Sequence, residues 1–135
     1  MSRGLGDVYK RQSQFIDPVY WGPSFWSSIE SVILSMDTKD EMSKEYVYLF
    51  LYTLQNVLPC PDCREHYQEY FSKYNVKEKL NKKEDLLKWI FQLRVKIKES
   101  NKENFKQSFP QYLQSLEQKF FPKQSRPNTR NFQKI

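Results

Sequence analysis

Between Gly22 and the last residue, Ile135, the chain contains no glycine at all, and its other two glycines are Gly4 and Gly6. Tight β-hairpins rely on glycine for the positive backbone angles of their turns. Residues 23–135 are therefore poorly suited to a sheet of short hairpins, and helices joined by short polar connections are the natural reading. At 135 residues the chain has the size of one domain. Ten Phe, nine Tyr and three Trp supply much of the surface that a core needs.

Hydrophobic periodicity places the helices. Residues 24–36 carry Trp26, Ile29, Ile33 and Met36 on one face, after a turn read in Pro18, Val19, Tyr20, Trp21, Gly22 and Pro23. A polar linker at 37–40 leads to a second helix, in which Val47, Leu51, Leu54 and Leu58 align and Tyr46, Phe50 and Val57 widen the stripe. Pro59 is expected to end it, because its ring bars helical backbone at Leu58. Pro61 suits the first turn of a third helix over residues 62–74, with Tyr67, Tyr70, Phe71 and Tyr74 as an aromatic face. Asn81 with Glu84 reads as a capping box for a fourth helix carrying Leu86, Ile90, Leu93 and Ile97, flanked by Trp89. A shorter fifth helix is expected from near Ser108 or Phe109, with Tyr112, Leu113, Leu116 and Phe120.

The predicted fold class is all-α, one domain over residues 15–121. Residues 1–14 are read as lying outside it; the first twelve, MSRGLGDVYKRQ, show neither helical nor strand period and resemble sequencing-adapter read-through. Residues 122–135 are expected to be a disordered tail, with Lys123, Arg126, Arg130 and Lys134 and no acid. That tail holds four of the six net positive charges, so the basic balance is weak ground for a nucleic-acid partner. No stretch approaches the ~20 apolar residues of a membrane span, and the N-terminus lacks the apolar core of a signal peptide. The expectation is a soluble, unexported protein with no membrane partner.

Cys60 and Cys63 are the only cysteines. Two intervening residues allow a disulfide, but so short a loop removes little entropy from the unfolded chain, so stability is a poor reason for it. At the start of a helix, unpaired N–H groups and the positive end of the dipole favour thiolate, which makes redox exchange the better reason. Several other readings stand beside it. Zinc would need four ligands where the chain offers two Cys and His66. Buried inert thiols are set against the flanking Pro59, Pro61, Asp62 and Arg64, which argue for an accessible site. A glutaredoxin-like oxidoreductase without flavin shares the Cys-Pro-Asp-Cys pattern, although such folds place the motif after a strand. A non-enzymatic helical interaction or nucleic-acid-binding protein is the remaining alternative.

The combination of Trp21-Gly22 with Trp26, then Leu58-Pro59-Cys60-Pro61-Asp62-Cys63-Arg64-Glu65-His66, then Trp89 resembles the Erv/ALR-type FAD-linked sulfhydryl oxidases, over about residues 18–106. The resemblance implies a four-helix bundle with a short fifth helix, the CxxC at the start of the third helix, and FAD beside it. It implies that Cys60 is the interchange cysteine attacked by the substrate thiol and that Cys63 lies against the flavin. Electrons would pass from protein dithiols to FAD and on to oxygen, giving hydrogen peroxide.

Cofactor contacts implied in the same way fall on Trp21, Gly22, Trp26, Glu30 and His66. Glu30 stands where the family usually has histidine. Where a His-Asn-x-x-Asn-like signature is expected, the chain has Arg94, Val95, Ile97 and Lys98. Arg94 offers a planar guanidinium that can stack on adenine, and Lys98 a charge for a phosphate. The bland alternatives are core packing for Trp26 and Trp89 and solvated charge for His66, Arg94 and Lys98. No metal site is expected. The chain has no extra shuttle CxxC and is similar to the minimal versions carried by large DNA viruses. That likeness implies a homodimer, a possible thioredoxin-like carrier among its partners, and a virion or host-cytoplasmic setting.

Overall fold

The structure, a computed structural model, describes residues 15–123. Among the described residues there are five α-helices and no strand: α1 Pro18–Ser35, α2 Glu41–Val57, α3 Pro61–Lys73, α4 Lys83–Ser100 and α5 Phe109–Phe120, with a 3-10 turn at Val76–Lys79. The all-α expectation and the position of the cysteines at the start of the third helix both hold. The leading segment 1–14 and all but the first residues of the basic tail lie outside the described residues. No described helix is long and apolar enough to cross a membrane. The chain divides into two compact units, one ending at Trp89 and the other beginning at Ile90, so the break falls inside α4.

In the first unit, α1 begins six residues earlier than the sequence reading placed it. Asp17 is the N-cap, its carboxylate accepting the Val19 N–H at 3.0 Å, and Pro18 takes the first helical position. The reading took Pro18 to Pro23, with two prolines and a glycine, as a turn and opened the helix near Ser24. Pro23 instead sits inside the helix on an exposed face, where its missing N–H costs one ladder bond. Ile29, Ile33 and Met36 are buried as expected, and Glu30 is buried with them at 2% exposure.

Helix α2 starts on an Asp40 cap and stops at Val57, with Leu58 as C-cap, as Pro59 requires. Val47, Leu51 and Leu54 form its buried face. It packs against α3. Between these helices residues 58–60 turn sharply, Cys60 N–H donating to the Leu58 carbonyl at 2.7 Å.

Trp89 is the hub of this unit. Its indole is 2% exposed, lies edge-on to Tyr67, Tyr70 and Phe71, and donates to the Tyr74 carbonyl at 2.9 Å. Such ring pairs contribute about 0.5–1.5 kcal/mol each beyond the area they bury. Both buried phenols are satisfied: Tyr67 donates to Leu51 O at 2.6 Å and Tyr70 to Trp89 O at 2.8 Å. Burial pushes both phenols up from their ordinary pKa, with a smaller contribution from the neighbouring tyrosine. The Asn81 capping box is a correction. Helix α4 opens at Lys83, one residue late for that box, and the Asn81 carboxamide oxygen instead accepts from Lys44 Nζ at 3.0 Å.

The second unit closes around Phe91, whose ring meets Phe105 at 5.3 Å, Phe109 at 5.4 Å and Tyr112 at 5.4 Å. Helix α4 ends in a 6→1 turn, Glu103 N–H donating to Lys98 O at 2.8 Å around Lys102, which has a positive φ of 57°. Ser108 caps α5 through a full capping box with Gln111. The sequence reading located this start without seeing the box.

Candidate functional site

Cys60 and Cys63 form a disulfide with their Cα atoms 5.1 Å apart. Extended backbone at Cys60 (φ −161°, ψ 120°) makes it the N-cap of α3, and its Sγ accepts the Cys63 N–H at 3.2 Å. Pro61 occupies the first helical position, where no amide donor is lost, and Asp62 follows in the first turn. The pair thus sits at the positive end of a helix, where the Cys63 N–H already donates to the Cys60 sulfur, a setting that favours thiolate once the bond is reduced.

The flanking prolines and charges did not keep the first cysteine open. Cys60 is 1% exposed, whereas Cys63 is half-buried. Pro61 and Asp62 are exposed, whereas Cys60 beside them is buried. Two contacts clasp the loop that carries it. The Ile16 N–H donates to the Pro59 carbonyl at 3.0 Å, and the Trp21 indole N–H donates to the Ile16 carbonyl at 2.7 Å. The first turn of α1 is thereby tied to the cysteine loop, and Trp21 is placed near the pair by way of Ile16. On the other side Arg64 Nη1 donates to Leu58 O at 2.6 Å.

The remaining expected site residues fall in different places. Trp26 and Glu30 lie one turn apart on α1, Trp26 half-buried and Glu30 buried. Gly22 is buried in α1, and a Cβ there would meet only Pro18 Cβ, at 3.9 Å, so no packing among the described residues demands glycine. His66 is exposed, one turn beyond Cys63. Arg94 and Lys98 belong to the second unit, where they line a cleft of about 690 Å³ together with Glu103, Asn104, Phe105, Lys106 and Gln107. Inside it the Arg94 guanidinium lies over the Phe105 ring at 5.4 Å and Lys98 pairs with Glu103 at 2.9 Å. Among the described residues no three His, Cys, Asp or Glu side chains are grouped to hold a metal ion. The sequence reading passed over Ile16 and Phe105, and used Arg64 only as part of the motif and as a sign of accessibility. Arg64 carried a usable signal, a cation directly after the motif; the other two depend on tertiary contacts that no local pattern announces.

A cysteine pair capping the third helix of an all-α chain is matched by a known family over residues 23–124. The chain belongs to the Erv1 / Alr family. Similar proteins come from large DNA viruses. A fowlpox virus (strain NVSL) protein named as a probable FAD-linked sulfhydryl oxidase is 34% identical over 61 residues, covering 45% of this chain and 61% of that protein. A protein of Acanthamoeba polyphaga mimivirus with the same designation is 26% identical over 110 residues, 80% of this chain and 76% of the relative. The chain therefore spans less than two thirds of the fowlpox protein and about three quarters of the mimivirus one.

Proposed function

We propose that this chain is an FAD-dependent thiol oxidase that introduces disulfides into protein substrates. The observation carrying the reading is the Cys60–Cys63 disulfide at the N-terminus of α3 with a sulfur as the helix cap. Family membership and the names of the viral relatives support it.

The exchange is written on this chain's own atoms. A substrate thiolate attacks one sulfur, the Cys60–Cys63 bond breaks, and the other sulfur leaves as a thiolate at the positive N-terminal end of α3. A second substrate thiolate then attacks the mixed disulfide, so the substrate becomes a disulfide and the pair a dithiol. By resemblance the attacked sulfur is Cys60 and the one facing the cofactor is Cys63. In the described residues Cys63 is the more exposed sulfur, and capping makes Cys60 the better leaving group, which favours attack at Cys63 as a second reading.

FAD, when bound, accepts the dithiol's electron pair and passes it to oxygen, giving hydrogen peroxide. Each unit, taken by itself, offers residues of a kind that suits such a group. Gly22 leaves open the space its missing side chain would take, Trp21 and Trp26 offer aromatic faces, and His66 follows Cys63 by one turn. In the second unit Arg94 offers a planar cation on which a purine can stack, whereas the charge of Lys98 in the same cleft is paired with Glu103. Glu30, buried on α1 where the family usually has histidine, offers no ring to stack on the group.

A homodimer is part of the proposal. Met42, Tyr46 and Leu49 are exposed at i, i+4 and i+7 on α2, material for an interface. Partners are protein dithiols, with a thioredoxin-like carrier as one class, in a virion or host-cytoplasmic setting.

The test is the visible spectrum of purified protein. Flavin absorbance is expected, together with oxygen consumption on adding a dithiol. A colourless protein that gains no flavin on refolding with FAD would defeat the reading. Cys63→Ser is expected to keep FAD while losing electron entry, and, when offered the oxidised substrate, to open its disulfide and hold it on Cys60 as a mixed disulfide with release of the other substrate thiol; such trapping only in Cys60→Ser would transfer the attacked role to Cys63.

A further inference from the structure

We propose that Arg64 is a positioning residue that sets how readily the Cys60–Cys63 pair is reduced, by anchoring its guanidinium on the Leu58 carbonyl. The inference rests on reading the two cysteines as a working redox pair. Arg64 Nη1 and the Cys60 amide both donate to the same oxygen, Leu58 O, at 2.6 Å and 2.7 Å. One carbonyl thus holds the cation and the backbone of the first cysteine together. The Arg64 amide meanwhile donates to Cys60 O at 3.0 Å, so the residue grips the cysteine turn from both its backbone and its side chain.

This arrangement does more than brace a loop. Arg64 is half-buried, so water screens its charge less than it would at a free surface. The disulfide is neutral, whereas the reduced pair carries thiolate character at the end of α3. A fixed cation beside the loop stabilises the reduced form more than the oxidised one, and so makes the pair a stronger oxidant of substrate dithiols. Reduction of the disulfide takes two electrons from the substrate, whose two thiols become its own disulfide. Loss of the cation shifts that balance toward oxidised Cys60–Cys63. Leu58 O is the C-cap carbonyl of α2, so the same contact ties the end of α2 to the start of α3.

The experiment equilibrates the protein with reduced and oxidised glutathione under nitrogen and counts alkylated thiols by mass. It consumes no oxygen, so it decides the role of Arg64 whether or not the chain proves to be an oxidase. Arg64→Met is expected to lower the equilibrium constant for reduction on the order of tenfold, equivalent to about 30 mV for this two-electron couple. Arg64→Lys, which keeps the charge, is expected to stay within about threefold of the parent. A residue that only braced the fold would lower the melting temperature of both redox states equally and leave the equilibrium unmoved. Should Arg64→Met fail to fold, Arg64→Gln replaces it as the uncharged donor, with the same expectation. An uncharged variant within twofold of the parent, or a Lys variant that falls as far as the uncharged one, would overturn the proposal.

Discussion

The Sγ of Cys60 accepts the backbone N–H of Cys63 at 3.2 Å, so the sulfur that opens the redox pair also caps the helix carrying its partner. Removing that sulfur takes away a cap as well as a bond, and the two losses can be separated. Serine places a hydroxyl where the sulfur accepts, whereas alanine leaves the N–H of Cys63 unpaired within the protein. Compared under reducing conditions, Cys60→Ala is expected to be about 1 kcal/mol less stable than Cys60→Ser, the usual worth of an N-cap. Urea denaturation followed by circular dichroism measures the difference. Equal midpoints would mean that the sulfur contributes nothing as a cap.

Buried phenols give the fold an alkaline limit. Tyr67 and Tyr70 lie in the core of the first unit, donating to Leu51 O and Trp89 O, and burial raises both pKa values. In the unfolded chain a tyrosine loses its proton near pH 10. Above that pH the unfolded state holds fewer protons than the folded one, so stability falls as pH rises. The contribution is complete below pH ~10 and is lost progressively above it. Tyr67→Phe and Tyr70→Phe should each flatten the alkaline limb of a stability-against-pH curve. At neutral pH each should cost about 0.5–1.5 kcal/mol for the hydrogen bond lost, since both carbonyls lie inside helices and keep their backbone partners. An alkaline limb unchanged in both variants would show that other groups set it.

Much of this architecture was legible because its signals were local. The stripe of Val47, Leu51 and Leu54, the stop at Pro59 and the start at Pro61 are properties of short windows, and all three stand in the structure. The start of α1 was misplaced because the segment from Pro18 to Pro23, with two prolines and a glycine, reads as a turn; the Asp17 cap that opens the helix lies one residue before the first proline. Asn81 failed for a different reason, since a lysine 37 positions away in sequence competes for its side-chain oxygen. At the site, the Cys60–Cys63 pairing followed from spacing. The burial of Cys60 did not, because it depends on how its loop sits among elements distant in sequence, Ile16 among them. Arg94 and Lys98 share a cleft because they lie one helical turn apart, while Phe105 reaches them only through the fold-back after α4.

That fold-back carries a strain that one substitution should release. Lys102 has φ of 57°, the only non-glycine positive φ among the described residues, at the position where helices most often end on glycine. A side chain with Cβ is disfavoured there, by about 1 kcal/mol against glycine. The turn itself is well made, with Lys102 N–H donating to Glu99 O at 2.9 Å and Glu103 N–H to Lys98 O at 2.8 Å. Lys102→Gly keeps both bonds and is expected to stabilise the protein by a few tenths to about 1 kcal/mol, the gain being reduced by glycine's greater freedom in the unfolded chain. The same change at Gln92, exposed within α4, should destabilise by about 1 kcal/mol, because there glycine only weakens a helix. Thermal denaturation of the two variants should therefore shift in opposite directions, and a fall at both positions would show that the left-handed residue is held at no cost.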